Sequence, residues 1–306
     1  MSSSGALVCD DLTKSYGTKK FALNSVSFTV PTKGIFTLIG RNGAGKSTLT
    51  RILATLLEPT SGSAQIDGLD VMSDARKLRQ RIAVVPQEGR AVAWISPLQT
   101  VSTYLLWRGY GYGESRRKAL EALSSVGLEK QANRLNRTLS GGMKRKVLVA
   151  MVLASEADVI FLDEPSTGLD PISRRELWDL LVALGKERFV FLTTHYLEEA
   201  EQLSDRIGIL EDGRLLSIGT LNELRGEMKY GFSLVLPKED AALAQIVGEK
   251  YTRRDGMTQI FTTEDQALVL AKRLADERVR FSLNPVTLDD VFNFVIAREK
   301  VEGGTR

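Results

Sequence analysis

Short uninterrupted apolar runs punctuate the chain, and the residues that bracket each run decide its reading. Residues 35–39 read as a strand that stops at glycine; the pattern then resumes at Leu49, Ile52, Leu53 and Leu56, spaced as on one face of a helix. Residues 159–162 and the VFLTT run before His195 are continuous and bounded by polar residues, as expected of strands covered on both faces in a parallel sheet. After Gln87, the stretch AVAWISPLQTVSTYLLWRGYGYGESRRKALEALSSVGL predicts helices broken at Pro97 and at residues 109–113. From about Met228 a second pattern starts: strand-like YGFSLVL, helix-like DAALAQIVG, strand-like TQIFTT, helix-like EDQALVLAKRLADE, strand-like VRFSL and a last helix. That helix opens TLDD, with Thr287 as cap and Leu288, Val291, Phe292 and Val295 on one face, so a small α/β domain is expected here.

Composition narrows the class. The 306 residues, 43% of them hydrophobic, can bury one sizeable core and leave room for a second, smaller domain. Forty-one basic and 38 acidic side chains nearly balance at a net charge of +3, which gives no strong footprint for nucleic acid. Cys9 is the only cysteine, which excludes an internal disulfide and a cysteine-based zinc site. The start, MSSSGALVCD, is uncharged before Asp10 and reads as no signal peptide. The longest apolar run, residues 147–154, falls far short of the ~20 residues that cross a bilayer, so work at a membrane would need another chain to span it.

The first strand–loop–helix carries chemistry. Gly40, Gly45, Lys46 and Ser47 fit G-x-x-x-x-G-K-[ST], in which glycines let main-chain N–H groups close around phosphate oxygens, the lysine reaches the β- and γ-phosphates and the hydroxyl meets Mg²⁺. The second strand ends in two carboxylates: Asp163, placed to hold Mg²⁺, and Glu164, placed to take a proton from an attacking water. His195 follows a third strand, near the same phosphate. Farther on, LSGGMKRK puts Ser140, Gly141 and Gly142 at a helix start, a second place where main-chain donors lack partners and an anion is favoured.

Together these motifs resemble the nucleotide-binding subunit of an ABC transporter, over about residues 5 to 225. The resemblance implies an α/β fold, a P-loop NTPase of the ABC ATPase type, with a mixed sheet core in residues 1–225, a helical subdomain over about 90–155, and the small α/β domain at 226–306. It makes residues 40–48 the Walker A loop, adding Asn42, Gly43 and Thr48 to the ATP contacts. It makes Gln87 the Q-loop residue, Ser166 to Asp170 the D-loop, His195 the switch histidine, and Tyr16 the ring that stacks on adenine. Mg²⁺ would be held by Ser47, Gln87 and Asp163. LSGGMKRK resembles the ABC signature, with Met143 where glutamine is usual; methionine lacks that hydrogen-bonding side chain. The same feature, with LATLLEPTSGSAQIDGLDV, TTHYLEEAEQLSDRI and VTLDDVF, is similar to the exporter branch that includes daunorubicin-type resistance ATPases.

Two phosphate loops in one chain then have a reason. In this family two subunits pair head to tail, and Ser140 and Gly142 of one clasp the γ-phosphate of ATP on the Walker A loop of the other. The implied protein is an ATPase that binds ATP and Mg²⁺, forms a homodimer, and powers export of a drug, lipid or other small molecule through separate transmembrane permease subunits. It would sit in the cytoplasm, peripheral to the inner face of the membrane. A soluble ABC ATPase acting on the ribosome or DNA is the alternative, and import uses the same chemistry. Trp94, Ile95, Tyr104, Leu105 and Trp107 are read as part core and part apolar groove for a permease helix, residues 91–97 lying nearest the groove.

Overall fold

The computed structural model describes residues 5–17, 21–237, 252–254 and 257–303. The chain divides into two compact units, up to Ile218 and from Gly219.

The first unit contains two sheets. One is antiparallel, in the order β2 (Phe21–Pro31), β1 (Ala6–Ser15), β4 (Ser61–Ile66), β5 (Leu69–Asp70). The other runs β10 (Arg214–Gly219), β9 (Arg206–Glu211), β3 (Ile35–Ile39), β8 (Phe189–Thr194), β7 (Val159–Asp163), β6 (Ile82–Val85), and its strands from β9 to β6 are parallel. Every residue of β3, β7 and β8 is buried, which is why their sequences are runs and not alternations.

The period of two survives inside those runs. Val159 and Phe161 of β7, with Phe189 and Phe191 of β8, face the antiparallel sheet, where Phe28, Phe36, Phe191 and Phe161 form a row of rings 5.3–5.7 Å apart. Helix α1 (Lys46–Leu53) packs Leu49, Ile52 and Leu53 into this same core. It ends sooner than its sequence suggests: Leu56 lies past Thr55, whose φ is 62°, and is exposed. A second helix on the way to β6, α2 (Ala75–Arg81), buries only Leu78.

The opposite face, with Ile160, Leu162, Val190 and Leu192, receives the helices. These are α3 (Pro97–Trp107), α4 (Tyr112–Ser125), α5 (Gly141–Ala154) and α6 (Pro171–Gly185). Pro97 starts α3 and Ser96 caps it in a reciprocal box with Gln99. Of the five apolar residues expected to divide between core and groove, Leu105 is fully buried and Tyr104 packs on the core. Trp94 and Trp107 stand out at 70% and 84% exposure. The guanidinium of Arg137 covers the Trp94 ring at 5.2 Å.

After β8, α7 (Leu197–Leu203) leads back to β9. The second unit holds α8 (Leu221–Glu227) and a sheet ordered β12 (Thr252–Arg254), β13 (Met257–Thr262), β11 (Phe232–Pro237), β14 (Ser282–Pro285), with α9 (Glu264–Asp276) and α10 (Leu288–Gly303). The expected helix DAALAQIVG lies outside the described residues. β12 was not expected, and β14 begins at Ser282, later than VRFSL suggests, while Val279 and Phe281 pack on the cluster of Leu234, Leu236, Ile260 and Leu274. α10 begins as its sequence indicates: the Thr287 hydroxyl accepts from the Asp290 N–H, and Asp290 accepts from the Thr287 N–H at 2.9 Å. Leu288, Val291, Phe292 and Val295 are all buried.

Candidate functional site

Four of the parallel strands deliver their next residues to one end of the sheet. β3 runs into the glycine loop, β6 reaches Gln87 in two residues, β7 hands on to Glu164 and β8 to His195. The register makes this convergence unavoidable, since Ile39 pairs with Thr194 and Asp163 with Thr193. The carboxyl end of a parallel sheet is where such folds bind ligands. Here it opens as a cleft of about 580 Å³ lined by Ala22, Gly43, Lys46, Ser47, Gln87 and Glu164, with Asn42, Gly45, Thr48, Thr167 and His195 completing its wall.

The loop owes its shape to glycine. Gly45, which precedes α1, has φ 109°, and a Cβ there would meet the Ala22 carbonyl oxygen at 2.3 Å. Lys46, the first residue of α1, is 5% exposed and turns back into the loop, donating to the carbonyls of Gly40 at 2.8 Å and Arg41 at 3.2 Å.

Glu164 ties the site together. Its backbone sits at φ 48°, a left-handed position that costs a non-glycine residue roughly 1–2 kcal/mol. Its N–H donates to the carbonyl of Thr193 at 3.0 Å and approaches the hydroxyl of the same residue. Its carboxylate, 6% exposed, lies 3.5 Å from the Lys46 ammonium. The other oxygen accepts from Gln87 Nε2 at 3.1 Å and from Thr167 Oγ1 at 3.2 Å, and lies 3.0 Å from Nδ1 of His195. One carboxylate therefore reaches residues from four separate chain segments.

Asp163, the last residue of β7 and next to Glu164 in the chain, is 5% exposed and accepts from the Thr193 hydroxyl. With Ser47 and Gln87 both lining the cleft and Asp163 beside Glu164, the oxygen donors on offer are hard, the kind that suits Mg²⁺. The residues present fit that ion.

The other expected residues lie elsewhere. Ser140 caps α5, its hydroxyl accepting from the Met143 N–H at 3.2 Å, and Ser140 and Gly141 are exposed. Gly142 is buried where a Cβ would come within 2.6 Å of Ser173 Oγ. The Met143 side chain packs on the helical face of the core, which accounts for an apolar residue there. Asp170 caps α6, accepting from the N–H groups of Ile172 and Ser173 and from the Ser173 hydroxyl at 2.6 Å, contacts that hold its carboxyl below the usual range. Tyr16 is exposed just past β1, with the Lys14 ammonium 5.5 Å from its ring, and is not among the cleft-lining residues.

Sequence reasoning missed Arg145. Within the basic run KRK it reads as solvated, yet it is 8% exposed and its guanidinium donates to main-chain carbonyls. The signal was helical spacing: Gly142, Arg145, Val149 and Val152 share one buried stripe. Thr193, hidden in an apolar run, carried no comparable signal.

The fold and cleft define an ATP-binding cassette, and comparison with known proteins agrees. The ABC transporter family profile matches residues 23–167. The daunorubicin/doxorubicin resistance ATP-binding protein of Streptomyces peucetius is 34% identical over 305 residues, 94% of this chain and 91% of that protein. The doxorubicin resistance ATP-binding protein of Mycobacterium tuberculosis is 40% identical over 245 residues, 79% of this chain and 74% of that one. Among solved structures, a dimeric ATP-binding cassette in a post-hydrolysis state with ADP and Pi superposes with a TM-score of 0.64. It is 28% identical, and the match covers 70% of this chain and 98% of that one. The chain belongs to the ATP-binding proteins of ABC transporters. It is an ATP-hydrolysing subunit of the drug-resistance exporter type.

Proposed function

We propose that this chain powers export of a small molecule, drug or lipid, through a separate membrane permease, as a head-to-tail pair of identical subunits at the cytoplasmic face of the membrane. None of the described helices is long and apolar enough to cross a membrane, so the permease is a different polypeptide or a region beyond those residues. The observation that carries the reading is the position of Glu164, a buried carboxylate within reach of Lys46, Gln87 and His195 at one end of the sheet.

ATP binds with its phosphates on residues 40–48, where Asn42, Gly43, Gly45 and Thr48 line the wall. Tyr16 stacks on adenine. Lys46 exchanges its ion pair with Glu164 for the β- and γ-phosphates, which frees Glu164 for an attacking water. His195 and Gln87 keep hold of that carboxylate and the water it polarises. Ser47, Asp163 and Gln87 would hold Mg²⁺, which supplies neutralisation of the phosphate charge. Ser140, Gly141 and Gly142 of the partner subunit close over the γ-phosphate and offer donors where charge develops. Asp170, at the end of the D-loop, caps α6 and so fixes that loop beside the shared site.

The test is Glu164→Gln, which keeps the shape of the hub and removes the proton acceptor. With excess ATP and Mg²⁺ this variant should scatter light as a stable dimer and hydrolyse ATP at least a hundredfold more slowly than the wild type, about 2.7 kcal/mol of lost transition-state stabilisation. A variant that stays monomeric sinks the shared-site reading.

A further inference from the structure

The signature and the catalytic carboxylate serve different nucleotides in a head-to-tail pair, yet they sit on one chain. Something must join them within it. Arg145 lies one turn into α5 beyond the signature, and its guanidinium reaches the main chain both at the end of β7 and at Gln87. Nε donates to the Pro165 carbonyl at 2.7 Å. One terminal nitrogen donates to the carbonyls of Asp163 and Glu164 at 3.2 Å each, and the other approaches those of Pro86 and Gln87 at 3.4 and 3.5 Å.

We propose that Arg145 is the positioning residue that couples the signature helix to the catalytic centre of its own chain. Five carbonyls from two separate loops converge on one rigid, planar fork, so the backbone that aims Glu164 and Gln87 is held from α5. A lysine ammonium is a single point of charge and cannot span both loops at once. When α5 moves to close on the neighbouring subunit's nucleotide, the fork carries that movement to residues 163–165 and 86–87. Arg145 touches neither the cleft nor the phosphates; it acts through Glu164 and Gln87.

This inference rests on the head-to-tail pairing proposed above, and its test separates the two. The measurements are ATPase kinetics, the dissociation constant of a fluorescent ATP analogue, and light scattering with ATP, for Arg145→Lys and Arg145→Met, each also combined with Glu164→Gln. The expected result is a kcat reduced tenfold or more in both single variants, with nucleotide affinity within threefold of the wild type. ATP-dependent dimers should persist in the double variants, because the clamp survives and only its link to catalysis is cut. A kcat within twofold of the wild type overturns the proposal. So does a loss of affinity or of dimerisation in proportion to activity, which would make Arg145 a packing residue. If Arg145→Met does not fold, Arg145→Lys, which keeps the charge and the stem, decides alone. Failure of Glu164→Gln itself to dimerise would instead remove the pairing, while the kcat against affinity split in the single variants still reads whether Arg145 positions Glu164.

Discussion

Glu199 shows what one buried carboxyl does to this molecule. It lies on α7, four residues after His195, with no exposed surface, and accepts from the indole N–H of Trp178 at 3.0 Å. Burial pushes its pKa up, against the opposing hydrogen bond of the Trp178 indole and the charge of Arg174. The sign follows. With a folded-state pKa above the unfolded one, the native protein holds a proton that the unfolded chain releases. The stability is thus fully present below the ordinary carboxylate range and is lost as pH rises from there through the raised value. Glu199→Gln is neutral at every pH and keeps an acceptor for Trp178. Its melting temperature should match that of the wild type most closely near pH 5 and exceed it by a widening margin toward pH 8. Thermal melts at the two pH values check this, and a gap that does not widen would show that Glu199 ionises freely in the fold.

At the scale of elements, two helices packed into the same core cluster begin on a serine cap, and the pair separates stability from activity. Ser96 is buried at the start of α3 and makes a full capping box; Ser140 is exposed at the start of α5 and caps Met143. Losing a cap costs roughly 1 kcal/mol in either helix. Ser96→Ala and Ser140→Ala should therefore lower the urea-unfolding free energy by about the same amount, roughly 1 kcal/mol. Only Ser140→Ala should lower kcat, since Ser96 takes no part in the site. Equal ATPase losses in both would mean that the signature serine works through helix stability alone. The strands β3, β7 and β8 were plain because burial on both faces leaves an unmistakable apolar run, and Thr287 marked a helix start through local hydrogen bonding. Leu56 misled because periodicity marks which residues are apolar and not how long an element runs. Arg145 was hidden for the converse reason: a charge on the buried stripe of a helix looks solvated until main-chain carbonyls are placed around it.

For the whole molecule, the cleft follows from the order of parallel strands, which brings residues as distant as Lys46 and His195 to one end of a sheet; motif spacing alone named those residues, and the sheet register explains why they meet. All of this lies in the first unit. Both large clusters, on the two faces of the parallel sheet, are built from residues up to Ile218, while the second unit has buried residues of its own, among them the cluster of Leu234, Leu236, Ile260 and Leu274 and the Leu288, Val291 and Val295 face of α10. Being the smaller of the two, the second unit buries a smaller share of its chain on folding, which leaves it a narrower margin against the entropy of ordering. The two units should accordingly differ in independence. A chain shortened after Thr220 retains every residue of the cleft and both large cores, and should melt cooperatively and bind a fluorescent ATP analogue with an affinity within threefold of the full chain. The second unit expressed alone should unfold well before it. Calorimetry and analogue titration read both outcomes. A shortened chain that fails to melt cooperatively or loses nucleotide affinity would mean that the second unit contributes to the order of the cassette itself, and that the ATPase core is larger than its own hydrophobic clusters indicate.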